Sequence, residues 1–356
     1  MNRLEINLDK NINFKYNITM KTLNELWSRG REFLNVQYPI ICGAMTWISD
    51  STLVSAVSNN GGLGALAAGN MDTELLEQEI NKTTELTDNP FAVNLITIAP
   101  KYREHLELIS SKKIPFVVFA GGIPSKDEMT LAKKSGAKVI CFASAESLAK
   151  RLVKNGADAL MLEGSEAGGH IGHVSLTILI QQVLFAIDSV PIFVAGGIGT
   201  GRIIPHLLLM GASGVQLGTR FVMTEECRVH PDFKKAFIRA QARDAIATPY
   251  VLSDLKVVPV RALKNKGMEN FLHLQMDIVN QVRENKLTMQ EAQLKVEEFW
   301  VGALRKAAKQ GDIISGSLMS GQSVGLVKKV QPLKELIHEL VSEAQDELGR
   351  IYLKLQ

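Results

Sequence analysis

Eight times between Tyr38 and Leu217 a short apolar run is followed by a small or polar residue and then by a longer amphipathic stretch. The runs occupy 39–44, 64–68, 91–96, 116–120, 139–143, 159–162, 192–195 and 214–217. Runs this short and this continuously apolar suit strands buried on both faces, the condition of a parallel sheet. The stretches between them (51–60, 71–84, 102–110, 127–135, 145–155, 176–187 and 203–210) carry apolar residues at helical spacing. Parallel neighbours need a crossover, and crossovers are right-handed. Unbroken alternation over eight repeats therefore predicts an α/β chain closed into a (β/α)8 TIM barrel. An open, doubly wound sheet is the alternative.

Beyond Thr224 the repeat stops. Residues 225–312 hold the helix-like HPDFKKAFIRA, the irregular YVLSDLKVVPVRALKNKGME and an amphipathic stretch, 290–310, in which Leu294, Val296, Phe299, Trp300 and Leu304 are spaced to pack one face. This block is too long for a loop and reads as a small, mainly helical cap domain over the barrel mouth. The barrel then comprises 21–224 and 313–356, with GSLMSGQ (316–322) returning toward the mouth. A closing helix over 333–352 has Leu336, Leu340, Ala344 and Leu348 on one stripe. Residues 1–20, rich in Asn and charged groups, read as a dispensable extension, with Met20 a candidate start. The 356 residues suffice for one barrel of about 250 and such an insertion.

Composition excludes several classes. With 46% hydrophobic residues and a mean hydropathy of +0.06 the chain can bury a large core and has no disordered signature. A net charge of +3, spread along the chain, supplies no basic stripe for nucleic acid. No apolar run approaches the roughly 18 residues that span a bilayer, and the start lacks a signal-peptide core. Cys42, Cys141 and Cys227 have no metal-type spacing and cannot form a closed disulfide set. The expectation is a reduced, cytoplasmic, metal-free protein with a small-molecule or carrier-bound substrate; a homodimer is left open.

The carboxyl ends of the runs are where a barrel builds its site. There the sequence places Gly43, Ala44 and Met45 after the first, Asn94 within the third and Glu163 after the sixth, the last followed by Gly168, Gly169 and His170. Gly196 and Gly197 follow the seventh run, and Gly218 and Thr219 the eighth. Glycines permit close backbone approach, and the loops after strands seven and eight are a recurrent phosphate site. His170 can give or take a proton near neutrality. Arg220 and Lys264 are candidates to meet acidic phosphates, and His173 reads as a solvated loop residue. Cys42 reads as a small apolar filler.

The segments PIICGAMTWISDSTLVSAVSNNGGLGALAAGN, FAVNL, EGSEAGGHIGHVS, VAGGIGTG, GVQLGTRFV, HPDFKKAF and SGSLMSGQSVGLV occur in this order. Together they resemble the flavin-dependent nitronate monooxygenase (2-nitropropane dioxygenase-like) superfamily, and within it the FMN-containing enoyl-acyl-carrier-protein reductases. The resemblance implies a barrel holding FMN at its mouth. Gly43, Ala44 and Met45 would lie against the ring, with Asn94 at its edge. Glu163, Gly168 and Gly169 would stand near ring and ribityl, while Gly196, Gly197, Gly218 and Thr219 would hold the phosphate. Gln322 would approach from the cap. It also implies NADH or NADPH as reductant and His170 as the catalytic residue. Ile171 follows that histidine where the monooxygenases more often carry arginine, which favours reduction of trans-2-enoyl thioesters. Ala44 and Ala65-Leu66-Ala67-Ala68 replace glycine-richer stretches of the reductases. Nitronate oxidation with O2 and NAD(P)H:quinone reduction are the alternatives on the same scaffold, and a flavin- or phosphosugar-binding module without turnover is the non-enzymatic one.

Overall fold

The computed structural model describes residues 19–248 and 258–355. At its centre is a closed barrel of eight parallel strands, each on one of the apolar runs. They are β1 (Ile40–Cys42), β2 (Leu63–Ala67), β3 (Phe91–Ile96), β4 (Phe116–Ala120), β5 (Lys138–Phe142), β6 (Ala159–Glu163), β8 (Ile192–Ala195) and β9 (Gly214–Leu217). β9 pairs back onto β1, Val215 opposite Ile40, which removes both sheet edges. The two-residue strand β7 (Gly169–His170) lies outside the barrel. It joins the antiparallel pair β10 (Ala245–Ala247) and β11 (Val260–Leu263) in a separate small sheet.

Successive side chains of a strand point to opposite faces, and this phase sorts the core into two. Ile41, Leu63, Ala65, Ala92, Phe116, Val118, Ile140, Ala159, Met161, Phe193 and Ala195 fill the barrel interior. Their neighbours Ile40, Cys42, Leu66, Val93, Val117, Val139, Cys141, Leu160, Leu162, Val194 and Val215 pack outward under the helices. Phe33 and Leu34, at the end of helix Ser28–Leu34, close the amino end of the barrel. The Phe33 ring sits 5.7 Å from Phe116 and 6.1 Å from Phe193. A packed floor at that end leaves the carboxyl end as the open one.

The helices fall between the strands as their spacing predicts, with one change. The stretch expected as a single helix over 176–187 is an α-turn, Leu176–Leu179, followed by a wider π-turn, Ile180–Leu184. The extra residue keeps Ile180, Val183 and Leu184 all buried while Phe185 turns to solvent. Residues 19–26 are helical, with Thr19 buried, Met20 packed against the core and Leu23 fully buried, as is Trp27; 1–18 lie outside the described residues.

Helices Lys266–Arg283 and Met289–Gln310 form a pair with a core of its own. Met268, Phe271, Ile278, Ala292, Val296 and Trp300 pack with Val260 and Ala262 of β11. Leu294, expected on the packed face, is 47% exposed. Ala292, Val296 and Trp300 recur every four residues, and a residue two positions off that row lies across the helix from them. Residues 250–257, the first part of YVLSDLKVVPVRALKNKGME, lie outside the described residues.

The C-terminal helix Leu333–Leu355 buries Leu336, Leu340, Ala344 and Leu348 as its stripe predicts. Its acidic residues hold the last barrel units. Glu339 accepts from Arg220 at 2.6 Å, Glu343 accepts the Gly201 N–H at 2.6 Å, and Glu347 lies 3.2 Å from His206. Among the described residues no helix is long and apolar enough to cross a membrane.

Candidate active site

A cavity of about 570 Å³ opens at the carboxyl end of the barrel, and the inward phase of every strand supplies its floor. Ala67, Asn94, Ile96, Val118, Ala120, Phe142, Glu163, Ala195 and Gln216 are inward side chains toward the carboxyl ends of β2, β3, β4, β5, β6, β8 and β9, and all line it. Gly43, Ala44 and Met45 line it after β1, and Gly168, Gly169 and His170 after β6. Gly196, Gly197, Gly218 and Thr219 line it after β8 and β9. The structure thus gathers twelve of the thirteen sequence-derived site residues. The exception is Gln322, whose neighbours Ser320, Gly321 and Ser323 face the cavity while its own backbone N–H binds the Glu166 carbonyl at 2.9 Å.

Three backbone features shape the glycine side. Gly196 and Gly197 have φ of +92° and +73°, in the left-handed region that favours glycine. A side chain on Gly168 would fall on the backbone of Ser320 and Gly321, so that glycine seats the return loop against the β6 loop. Thr219 Oγ1 accepts the Gly321 N–H at 3.3 Å and keeps its own O–H to donate. On the opposite side, Met45 N–H donates to Ser49 Oγ at 2.9 Å and Ser49 Oγ to the Gly43 carbonyl at 3.2 Å. These bonds hold the β1 loop flat across the floor.

Two polar side chains on the floor have capacity to spare. Asn94 donates to the Val118 carbonyl at 3.2 Å, leaving Oδ1 toward the cavity. Among the described residues the Glu163 carboxyl has no hydrogen-bond partner, and burial at the bottom of the barrel pushes its pKa up to about 8. The carboxyl is half-buried and faces the cavity, so a ligand there that supplies a donor would satisfy it.

Several other candidates separate from the site. Arg220 is buried against Glu339 and does not line the cavity, nor does Lys264, and neither is positioned to meet a phosphate there. Cys42 takes the outward phase of β1 and packs under the helices, its thiol pushed well up by burial; it is a filler, away from the floor. His173 is exposed and outside the lining.

Sequence reasoning missed three residues. Gln216 lies against Gly43, and the inward phase of β9 would have found it. Glu297, on helix Met289–Gln310, lines the cavity with its carboxylate 3.1 Å from His170 Nε2. Trp47 has φ of +64°, rare for a bulky residue. It donates its indole N–H to the Val301 carbonyl at 3.1 Å, and Arg305 lies 5.2 Å over its ring. Nothing in the local sequence marks the last two, because their partners are distant in the chain.

A closed parallel barrel with this mouth defines the class, a (β/α)8-barrel enzyme whose site sits on the carboxyl-end loops. The sequence profile of nitronate monooxygenase matches residues 28–105 and 96–343. A "(3aS,4S,5R,7aS)-5-hydroxy-7a-methyl-1-oxo-octahydro-1H-indene-4-carboxyl-CoA dehydrogenase" of Rhodococcus jostii is 30% identical over 336 residues, 88% of this chain and 94% of that one. A probable nitronate monooxygenase of Staphylococcus aureus is 28% identical, covering 89% and 98%. Among solved structures, FabK from Thermotoga maritima superposes with a TM-score of 0.81 at 33% identity, covering 91% of this chain and 98% of that one. The chain belongs to the nitronate monooxygenase family of flavin-type oxidoreductases.

The residues present fit a flavin mononucleotide. The volume lies in the range of cofactor pockets. The left-handed Gly196 and Gly197 leave a side-chain-free cradle beside Thr219. The Glu163 carboxyl can meet a donor, and Asn94 and Gln216 present amide groups at floor level.

Proposed function

We propose that this protein is an FMN-dependent reductase of trans-2-enoyl thioesters, driven by NADH or NADPH. One observation carries the choice over nitronate oxidation: among the described residues no Lys or Arg lines the cavity. An anionic nitronate would meet the Glu297 carboxylate with only His170 to offset it, whereas an enoyl thioester is neutral at its reacting carbons. Ile171, buried in the lining where the monooxygenases favour arginine, supports the same choice. The identity with a relative that handles a carboxyl-CoA agrees with a thioester.

FMN, when bound, supplies hydride transfer from the nicotinamide to the β-carbon. The chain's own residues do the rest. Gly196, Gly197, Gly218 and Thr219 take the phosphate through backbone N–H groups and one hydroxyl, and Gly43, Ala44 and Met45 form the flat floor. Asn94 and Gln216 bind the polar ring edge, and Glu163 meets a donor from the cofactor, either as acceptor or as a neutral acid. Gly168 and Gly169 let the chain pass close to the ribityl. Ile171, Val258, Leu304 and Met319 exclude water from the upper cavity. His170, at the rim, gives its proton to the α-carbon and regains one from solvent.

Anaerobic mixing of the yellow protein with NADH or NADPH tests this directly. Bleaching of the flavin band, reversed by crotonyl-CoA without oxygen, is the expected result. Absence of bleaching by either nucleotide, together with bleaching by an alkyl nitronate, would replace the proposal with nitronate oxidation.

A further inference from the structure

The barrel and the helical pair meet at two pins on one helix face. Along Met289–Gln310, residues Glu297, Val301, Leu304 and Arg305 share the side toward the mouth. Glu297 and Leu304 line the cavity, Val301 accepts the Trp47 indole, and Arg305 covers that indole's ring. The adjoining face, with Ala292, Val296 and Trp300, packs into the pair's own core.

His170 is presented from β7, paired with Val260 of β11, immediately after Gly169 at φ of +78°. Its Nε2 lies 3.1 Å from Glu297, while among the described residues Nδ1 has no protein partner. Glu297 is otherwise hard to explain. Among the described residues it puts a carboxylate on a wall without lysine or arginine, and its one hydrogen-bond partner there is this imidazole.

We infer that Glu297 is the positioning residue for His170, accepting the Nε2–H and so directing Nδ1 at the substrate. This rests on the reading of His170 as the proton donor. The balance is simple: the imidazolium releases its Nδ1 proton to the α-carbon and remains as the neutral Nε2–H tautomer, which the carboxylate already favours. The proton returns to Nδ1 from solvent. A carboxylate that fixes tautomer and ring orientation is a recurrent support for a working histidine.

The test joins a spectroscopic readout to kinetics. In protein labelled with 15N-histidine, His170, assigned by its loss in H170A, should show a fixed Nε2–H tautomer. E297M should convert it to a mixture, and E297Q, which retains an acceptor oxygen, should keep part of the preference. With crotonyl-CoA, E297M should lose kcat roughly tenfold to hundredfold with KM within about threefold, E297Q should recover part of it, and H170A/E297M should be no slower than H170A. Unchanged tautomers in E297M, unchanged kcat, or losses that multiply with H170A would each overturn the inference. If E297M fails to fold, E297Q carries both measurements: wild-type tautomer preference and rate in it refute the assignment, and a partial loss of each supports it. If the wild type does not reduce the thioester, the functional reading falls, and the tautomer spectra still decide the role of Glu297.

Discussion

Replacing Glu163 by glutamine should make the cofactor-free protein progressively more stable than wild type as pH rises. The carboxyl ends β6 on its inward phase, without a hydrogen-bond partner among the described residues, and desolvation lifts its pKa from the ordinary 4.5 to about 8. The folded protein therefore holds a proton that the unfolded chain has released, and stability falls with pH wherever the native state binds more protons. Stability associated with the neutral form is fully present below pH 4.5 and is lost as pH rises through about 8. A gap of about 3.5 in pKa, at about 1.4 kcal/mol each, sets an upper limit of about 5 kcal/mol. Water entering the open cavity lowers the value below that limit, so the working range is roughly 2 kcal/mol up to the limit of about 5 kcal/mol. With an unfolding entropy of about 2.1 cal/mol/K per residue over 356 residues, E163Q should melt about 3–7 °C above wild type at pH 9. The two should coincide near pH 4. Scanning calorimetry or intrinsic fluorescence at five pH values across this window provides the assay. A difference in melting temperature that does not change with pH would refute the reasoning, because a glutamine that merely packs better has no pH dependence.

Removing Glu339 in E339A leaves the Arg220 guanidinium buried without its partner and should cost about 3–5 kcal/mol, read as a lower urea midpoint with unchanged slope. G168A puts a methyl group on the backbone of Ser320 and Gly321; a stability loss of about 1–3 kcal/mol and weaker FMN retention on gel filtration are the expected outcomes. Cys42, Cys141 and Cys227 are all buried, and burial raises the latter two to about 12 and about 11. Native protein should resist iodoacetamide at pH 8 while denatured protein takes up three labels by mass.

Much of the fold was legible because its signals are local. Each barrel strand lies on an apolar run, and the stripe of Leu336, Leu340, Ala344 and Leu348 is buried as read. The cavity residues legible in advance, such as Asn94, Glu163 and Gly196, were those whose type is unusual at a strand end. A polar or glycine residue there stands out against the apolar background. Gln216 was within reach, since alternation alone directs it inward, but GVQLGT draws attention to its glycines and threonine. Leu294 and Gln322 show the opposite limit, where a spacing or a motif is right about the segment and wrong about which side chain faces inward.

The sequence by itself determined that this chain closes a parallel barrel, opens its site at the carboxyl end and lines that site with small residues. Those properties follow from periodicity and residue type within a few positions. Only the tertiary structure decided that Glu163 is desolvated on the cavity floor, that Arg220 is committed to Glu339, and that Glu297 reaches His170 from 127 residues away. Burial and pairing are properties of what surrounds a side chain, and those surroundings come from segments whose distance in sequence carries no information about their distance in space.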